Sequence, residues 1–304
     1  MNKKFLTYLM IFGVLGFFGW KIWKDWETVS TLAWHFSLFN LSIFLILLPF
    51  PFFIDVVAWH LVTRALGKKI SFSKNFEIWM LSNFARYLPG GIWQYPGRVL
   101  LLSKLGISKV SGVTCLVLEA LFVIFVGLSL TLLVFVSGGL NLSFESARFM
   151  SLAGLLLIVL FLCISNQKLM TKTSRLFISL TGKGQEIKSI RIPFRWVPPL
   201  ILAYFFVFLL PSIMLFIMAR STVTLTFDLL PIFVGAYAAS WLIGYVTFFA
   251  PAGIGVREVT LAGFLSVYVP FSVAAVVVIG LRVALFISEA LGFGLAVLLS
   301  KRRP

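Results

Sequence analysis

Four ionisable side chains, Asp55, Glu119, Arg282 and Glu289, stand inside long apolar stretches of this 304-residue chain. A charge on a helix in hydrocarbon costs about 2.5–3.5 kcal/mol on insertion scales, so each must face the protein interior or water. Arg282 and Glu289 are seven positions apart, about two helical turns, which puts them on one face without direct contact. Each therefore needs a partner from elsewhere. Glu119 falls near the middle of its stretch, and Arg86, Arg98, Arg257 and Arg282 are its candidate partners. Buried groups of this kind bind a polar headgroup, exchange a proton, or hold helices in register as a structural ion pair.

Two interruptions bring further groups. The first reads Leu88-Pro89-Gly90-Gly91, flanked by Arg86 and Arg98; the second reads Pro251-Ala252-Gly253-Ile254-Gly255, followed by Arg257 and Glu258. A broken helix leaves N–H and C=O groups that hydrocarbon cannot satisfy, so it survives only where protein or an aqueous cavity surrounds it. A helix that restarts at such a break presents free N–H groups and a partial positive charge, suited to phosphate or carboxylate. Arginine adds bidentate recognition of the same anions. The bland reading is an interfacial turn with arginines reaching to the headgroups, and it suits Arg98 better than Arg86 or Arg257.

The elements that must position these residues follow from composition. Hydrophobic residues make up 60% of the chain and charged ones 12%, with a mean hydropathy of +1.04. Soluble domains are far less apolar. Long apolar runs recur at Phe5 to Trp20, Leu38 to Val62, Val110 to Val136, Phe149 to Ile164, Trp196 to Met218, Leu229 to Ala250 and Phe271 to Leu299. Most exceed the roughly 20 residues that cross about 30 Å of hydrocarbon. The expected fold is a polytopic all-α bundle of six to eight spans in a single transmembrane domain over 1–304, with Phe5 to Trp20 an uncleaved first helix.

The net charge of +16 lies in short runs between apolar segments, which points to anionic lipid rather than nucleic acid. The loop from 166 to 195 carries seven Lys or Arg against one acid, Glu186. Basic loops face the cytoplasm, which puts both termini inside the cytoplasmic membrane's inner face and requires an even number of crossings. The segment 75–109, basic at both ends, is expected to enter and turn back on two short arms; 229–270 is expected to form a second hairpin from the outside. Pro89-Gly90-Gly91-Ile92 and Pro251-Ala252-Gly253-Ile254 start 162 residues apart, which suggests inverted repeats over about 38–136 and 196–299.

Other side chains bound the chemistry. Cys115 and Cys163 lie in apolar runs, and His35 and His60 have no neighbouring ligand set, so no metal, disulfide framework or nucleophilic triad is expected. Trp20, Trp23, Trp26, Trp34, Trp59, Trp79, Trp93 and Trp196 are expected to be interfacial belts. Asp228 is expected to start a helix ahead of Pro231.

Arg86-Tyr87-Leu88-Pro89-Gly90-Gly91-Ile92-Trp93-Gln94 with Gly97-Arg98, and Pro251-Ala252-Gly253-Ile254-Gly255-Val256-Arg257-Glu258 with Arg282, resemble the lysylphosphatidylglycerol synthase transmembrane (flippase-like) family. The resemblance covers about residues 38 to 299. The first motif departs from the commoner family form, a Gly-Glu after the Pro-Gly, by carrying Trp93-Gln94 and a second Pro96-Gly97. The resemblance implies translocation or handling of an anionic or polyprenyl-linked lipid. Some members continue into a soluble aminoacyl-transferase domain; this chain stops at Pro304, so no synthase activity, catalytic residue or cofactor is expected.

The expected lipid-binding set is Arg86, Pro89, Gly90, Gly91, Arg98, Glu119, Pro251, Gly253, Gly255, Arg257, Glu258 and Arg282, with Asp55 and Glu289 secondary. Two alternatives stay open: a membrane transferase of a lipid-linked sugar, with Asp55, Glu119 or Glu258 as acid or base, and a non-catalytic partner that recruits a soluble transferase through the basic loop.

Overall fold

Hydrocarbon offers no hydrogen-bond partners, so a charge-free run must close its backbone bonds within the segment, and helices do this. A computed structural model of the chain describes residues 37–87, 92–137, 192–247 and 253–301, with short pieces at 23, 152–157 and 159–160. No strand occurs among the described residues. The expected first helix, Cys163, His35, most of the 149–195 region, and Pro89, Gly90, Gly91 and Pro251 lie outside them.

In chain order the principal helices among the described residues are α1 (Leu38–Leu47), α2 (Phe50–Ala65), α3 (Phe72–Asn83), α4 (Gln94–Ser103), α5 (Lys109–Ser137), α6 (Val197–Arg220), α7 (Leu230–Val246), α8 (Val256–Leu265) and α9 (Phe271–Lys301). Among the described residues, five stretches are long and apolar enough to cross a membrane: Leu38–Ala65, Lys109–Val134, Phe194–Arg220, Phe227–Val246 and Phe271–Lys301. The chain is a multi-pass α-helical membrane protein. Within Leu38–Ala65 the helix pauses at Leu48 and Pro49 and restarts at Phe50, because Pro49 and Pro51 cannot donate to the preceding turn.

The two arms flanking the first interruption are short, as the sequence predicts. Helix α3 has 12 residues and α4 has 10, about 18 and 15 Å of rise, far short of a crossing. A 3₁₀ turn, Phe84–Tyr87, ends the first arm. The arms on either side of the second interruption are unequal. With the 3₁₀ turn Phe227–Leu229, α7 reaches 20 residues and is long enough to cross, whereas α8 has 10. Nothing in Leu230–Val246 stops the helix: its proline occupies the first turn, where no N–H is needed. Asp228 lies in that 3₁₀ turn and makes no side-chain cap.

After each interruption the same order recurs: a ten-residue helix, a turn, then a long helix of 29 residues (α5) or 31 (α9). The bundle closes around Trp59, Phe122, Phe208, Phe216 and Phe233, all fully buried. Helices α5 and α7 pack most extensively, and their approach is close at Gly235, where a Cβ would stand 2.5 Å from Val134 Cβ.

Candidate functional site

The short helices and the long ones meet around a central cavity of about 190 Å³. Asp55 from α2, Arg86 from the 3₁₀ turn, Arg98 from α4, Glu119 from α5, Arg257 from α8, and Arg282 and Glu289 from α9 all line it. Glu258 sits behind the wall, on a smaller cavity shared with Arg257 and Arg282. The cost of a charge in hydrocarbon explains the convergence: groups that cannot face lipid are gathered on one interior surface.

Three ion pairs account for most of them. Arg86 Nη2 lies 2.5 Å from Glu289 Oε2, which also accepts from Tyr87 Oη at 2.7 Å, while Glu289 Oε1 accepts from Asn83 Nδ2 at 2.7 Å. Arg98 Nη1 donates to both carboxylate oxygens of Glu119, at 2.8 and 2.6 Å, and its Nε donates to Ser82 Oγ at 3.1 Å. Arg282 Nε lies 2.9 Å from Glu258 Oε1. Arg282 and Glu289 thus both take partners from other elements, as their spacing requires.

Two expectations need correction here. Arg98 does not snorkel to the interface; it is 2% exposed and clamped by Glu119 and Ser82, because α4 is too short to carry it out of the bundle. Trp59 and Trp79 are not interfacial belts. Both are buried, and they lie against Arg98 with its guanidinium carbon 4.6 and 5.6 Å from the ring centroids, a cation–π arrangement.

Helix α8 owes its start to glycine. Gly253 and Gly255 adopt φ of +67° and +90°, where other residues are strained, and the Gly255 N–H donates to Glu258 Oε2 at 2.5 Å. Glu258 therefore ties the restart of α8 to Arg282 on α9. The same turn brings Arg257 against Gly244 and Gly253: a Cβ on Gly244 would overlap the Arg257 side chain, and one on Gly253 would lie 2.7 Å from Arg257 Cδ. The Arg257 guanidinium carbon stands 5.3 Å from the Trp241 ring centroid and makes no ion pair among the described residues. Asp55 likewise has no ion pair or hydrogen bond among them.

The cavity also holds donors in excess. Arg86 Nε, Trp79 Nε1 and Tyr204 Oη are buried without a hydrogen-bond partner among the described residues, and all three residues line the cavity. Unmade bonds on buried donors cost free energy that an acceptor-rich ligand would recover. The model of the lysylphosphatidylglycerol synthase TM region matches residues 5–292. The chain belongs to that family. Membership of the lysylphosphatidylglycerol synthase TM region family gives this bundle a lipid-handling role in the membrane. A comparison with curated proteins yields no match.

In this family member, the residues the sequence singles out divide by position. Arg86, Arg98, Glu119, Gly253, Arg257, Arg282, Asp55 and Glu289 are brought to one cavity, and Gly255 and Glu258 support it from behind. Sequence reasoning missed the aromatic wall on α7: Tyr237, Trp241 and Tyr245 recur every four residues, so they share one face, and all three line the cavity. Trp241 and Tyr245 stack at 5.0 Å. That periodic stripe of polar-tipped aromatics in a charge-free helix was the available signal. Ser82, Asn83 and Tyr204 carried none.

Proposed function

We propose that this protein translocates an anionic or polyprenyl-linked lipid across the cytoplasmic membrane, with the headgroup in the central cavity and the chains in lipid. Both termini face the cytoplasm in this reading, and no bond of the substrate is made or broken. The observation that carries it is the convergence of seven ionisable residues from both halves of the chain on one cavity whose buried donors lack acceptors. A phosphate fits that inventory, because it is an anion with several acceptor oxygens. Trp241 and the tyrosines of α7 supply a wall that tolerates both a polar headgroup and the start of an apolar chain. The ion pairs keep the other guanidiniums in place while cargo enters and leaves.

The test is leaflet exchange in liposomes carrying fluorescent phosphatidylglycerol or a polyprenyl phosphate reporter. Wild type is expected to exchange at least one of them, and Arg282→Ala and Glu119→Gln to lose most of that exchange while still inserting. No exchange of either reporter, under any gradient, would overturn the reading. It would favour a membrane partner of a soluble transferase acting through the basic loop, or a transferase of a lipid-linked sugar.

A further inference from the structure

The cavity pairs its charges incompletely, and the two left over have opposite sign. Arg86, Arg98 and Arg282 are each held by a carboxylate, which leaves Arg257 and Asp55 without an ion pair among the described residues. Both line the same cavity. With every group ionised, the four guanidiniums balance the four carboxylates of Asp55, Glu119, Glu258 and Glu289, so the cluster is neutral before cargo arrives. A phosphodiester bound at Arg257 brings one further negative charge into a region of low dielectric, where an uncompensated charge is costly. Neutralising Asp55 with a proton restores the balance.

Asp55 is the carboxylate placed to do this. Glu119 is gripped by both of its oxygens, and Glu289 accepts from Arg86, Tyr87 and Asn83, so a proton on either would break bonds already made. Asp55 breaks none. The groups that act on it are Arg86 from the 3₁₀ turn, Arg98 from α4, Glu119 from α5 and Glu289 from α9, and Tyr204 faces the same cavity from α6. The charges of Arg86 and Arg98 are already matched by Glu289 and Glu119, and neither guanidinium forms an ion pair with Asp55.

We infer that Asp55 takes up one proton from the aqueous phase when a singly anionic headgroup enters at Arg257, which makes the protein a proton–lipid symporter. The inference rests on the translocation reading above. The proton binds an Asp55 carboxylate oxygen as cargo enters and leaves when cargo leaves, so no other bond changes.

The experiment measures proton uptake by detergent-solubilised, weakly buffered protein on addition of short-chain phosphatidylglycerol, with phosphatidylcholine as control and lipid binding followed separately. Wild type is expected to take up about one proton per phosphatidylglycerol bound, Asp55→Glu to behave likewise, and Asp55→Asn to take up none per lipid bound. In liposomes, wild-type exchange is expected to follow an imposed pH gradient, and exchange by Asp55→Asn, at whatever rate it retains, to ignore it. Wild type that binds phosphatidylglycerol without proton uptake overturns this inference and leaves the translocation reading standing. Absence of binding and exchange overturns both. Undiminished uptake in Asp55→Asn would overturn the assignment to this residue.

Discussion

Arg86 and Glu289 are separated by 203 positions in the chain, yet their side chains meet at 2.5 Å and share the carboxylate with Tyr87 and Asn83. The pair fastens the end of the first interrupted arm to the last long helix. Glu289 is fully buried, so removing its charge strands the Arg86 guanidinium beside the cavity. Glu289→Gln is expected to destabilise the bundle by roughly 3–5 kcal/mol, the usual result of breaking one side of a buried pair. Thermal unfolding in detergent checks this. Arg86→Met added to Glu289→Gln should lose less than the sum of the two single losses; a double variant whose loss equals that sum would show that the pair is not coupled.

Arg98 is fixed by Glu119, Ser82 and two indole rings, a geometry that depends on a planar fork. Lysine has the charge without the fork. Arg98→Lys is therefore expected to lower lipid exchange at least tenfold, about 1.4 kcal/mol, although charge is conserved. Exchange assays with equal amounts of inserted protein decide it, and wild-type rates in Arg98→Lys would mean that Arg98 contributes charge alone.

The closeness of Gly244 to Arg257 gives a steric test. A methyl group at 244 cannot coexist with the present Arg257 side chain, so Gly244→Ala is expected to lift that side chain off Trp241. Phosphatidylglycerol binding should weaken roughly tenfold, while Gly263→Ala, which has nothing within 4 Å of its new methyl, should bind as wild type does. Equal binding by Gly244→Ala would remove Arg257 from the site.

Gly235 tests the packing independently of the cavity. Gly235→Ala drives a methyl group into Val134 and is expected to cost about 1–3 kcal/mol of stability, the range for overpacking. Val134→Gly, which removes the Cβ that the methyl meets, should restore part of it. If unfolding temperature is unchanged by Gly235→Ala, α5 and α7 do not approach as closely as described.

Much of the bundle was legible because hydrocarbon leaves so few choices. The apolar runs at Val110 to Val136, Trp196 to Met218 and Phe271 to Leu299 reappear as α5, α6 and α9, and the Pro-Gly interruption near 89 separates two arms too short to cross. Asp55, Glu119, Arg282 and Glu289 were legible for the same reason, since a charge in an apolar run must point inward. Partners were not. Arg98 and Glu119 pair at 21 positions, but Glu289 finds Arg86 across most of the chain, and only the packing of the helices selects among four arginines. The burial of Trp59 and Trp79 was hidden because an indole near a span end looks the same in sequence whether it meets headgroups or a guanidinium.

The proposed translocation requires an anionic headgroup in the cavity beside Arg257. Its most direct test is photo-cross-linking in nanodiscs containing phosphatidylglycerol, with benzoylphenylalanine in place of Tyr237 on the cavity wall or of Leu291, 69% exposed on α9. The expected result is a phosphatidylglycerol adduct at 237 that is lost with Arg257→Ala and absent in phosphatidylcholine nanodiscs, while 291 labels with either lipid. Adducts at 291 in both lipids with none at 237 would contradict the account.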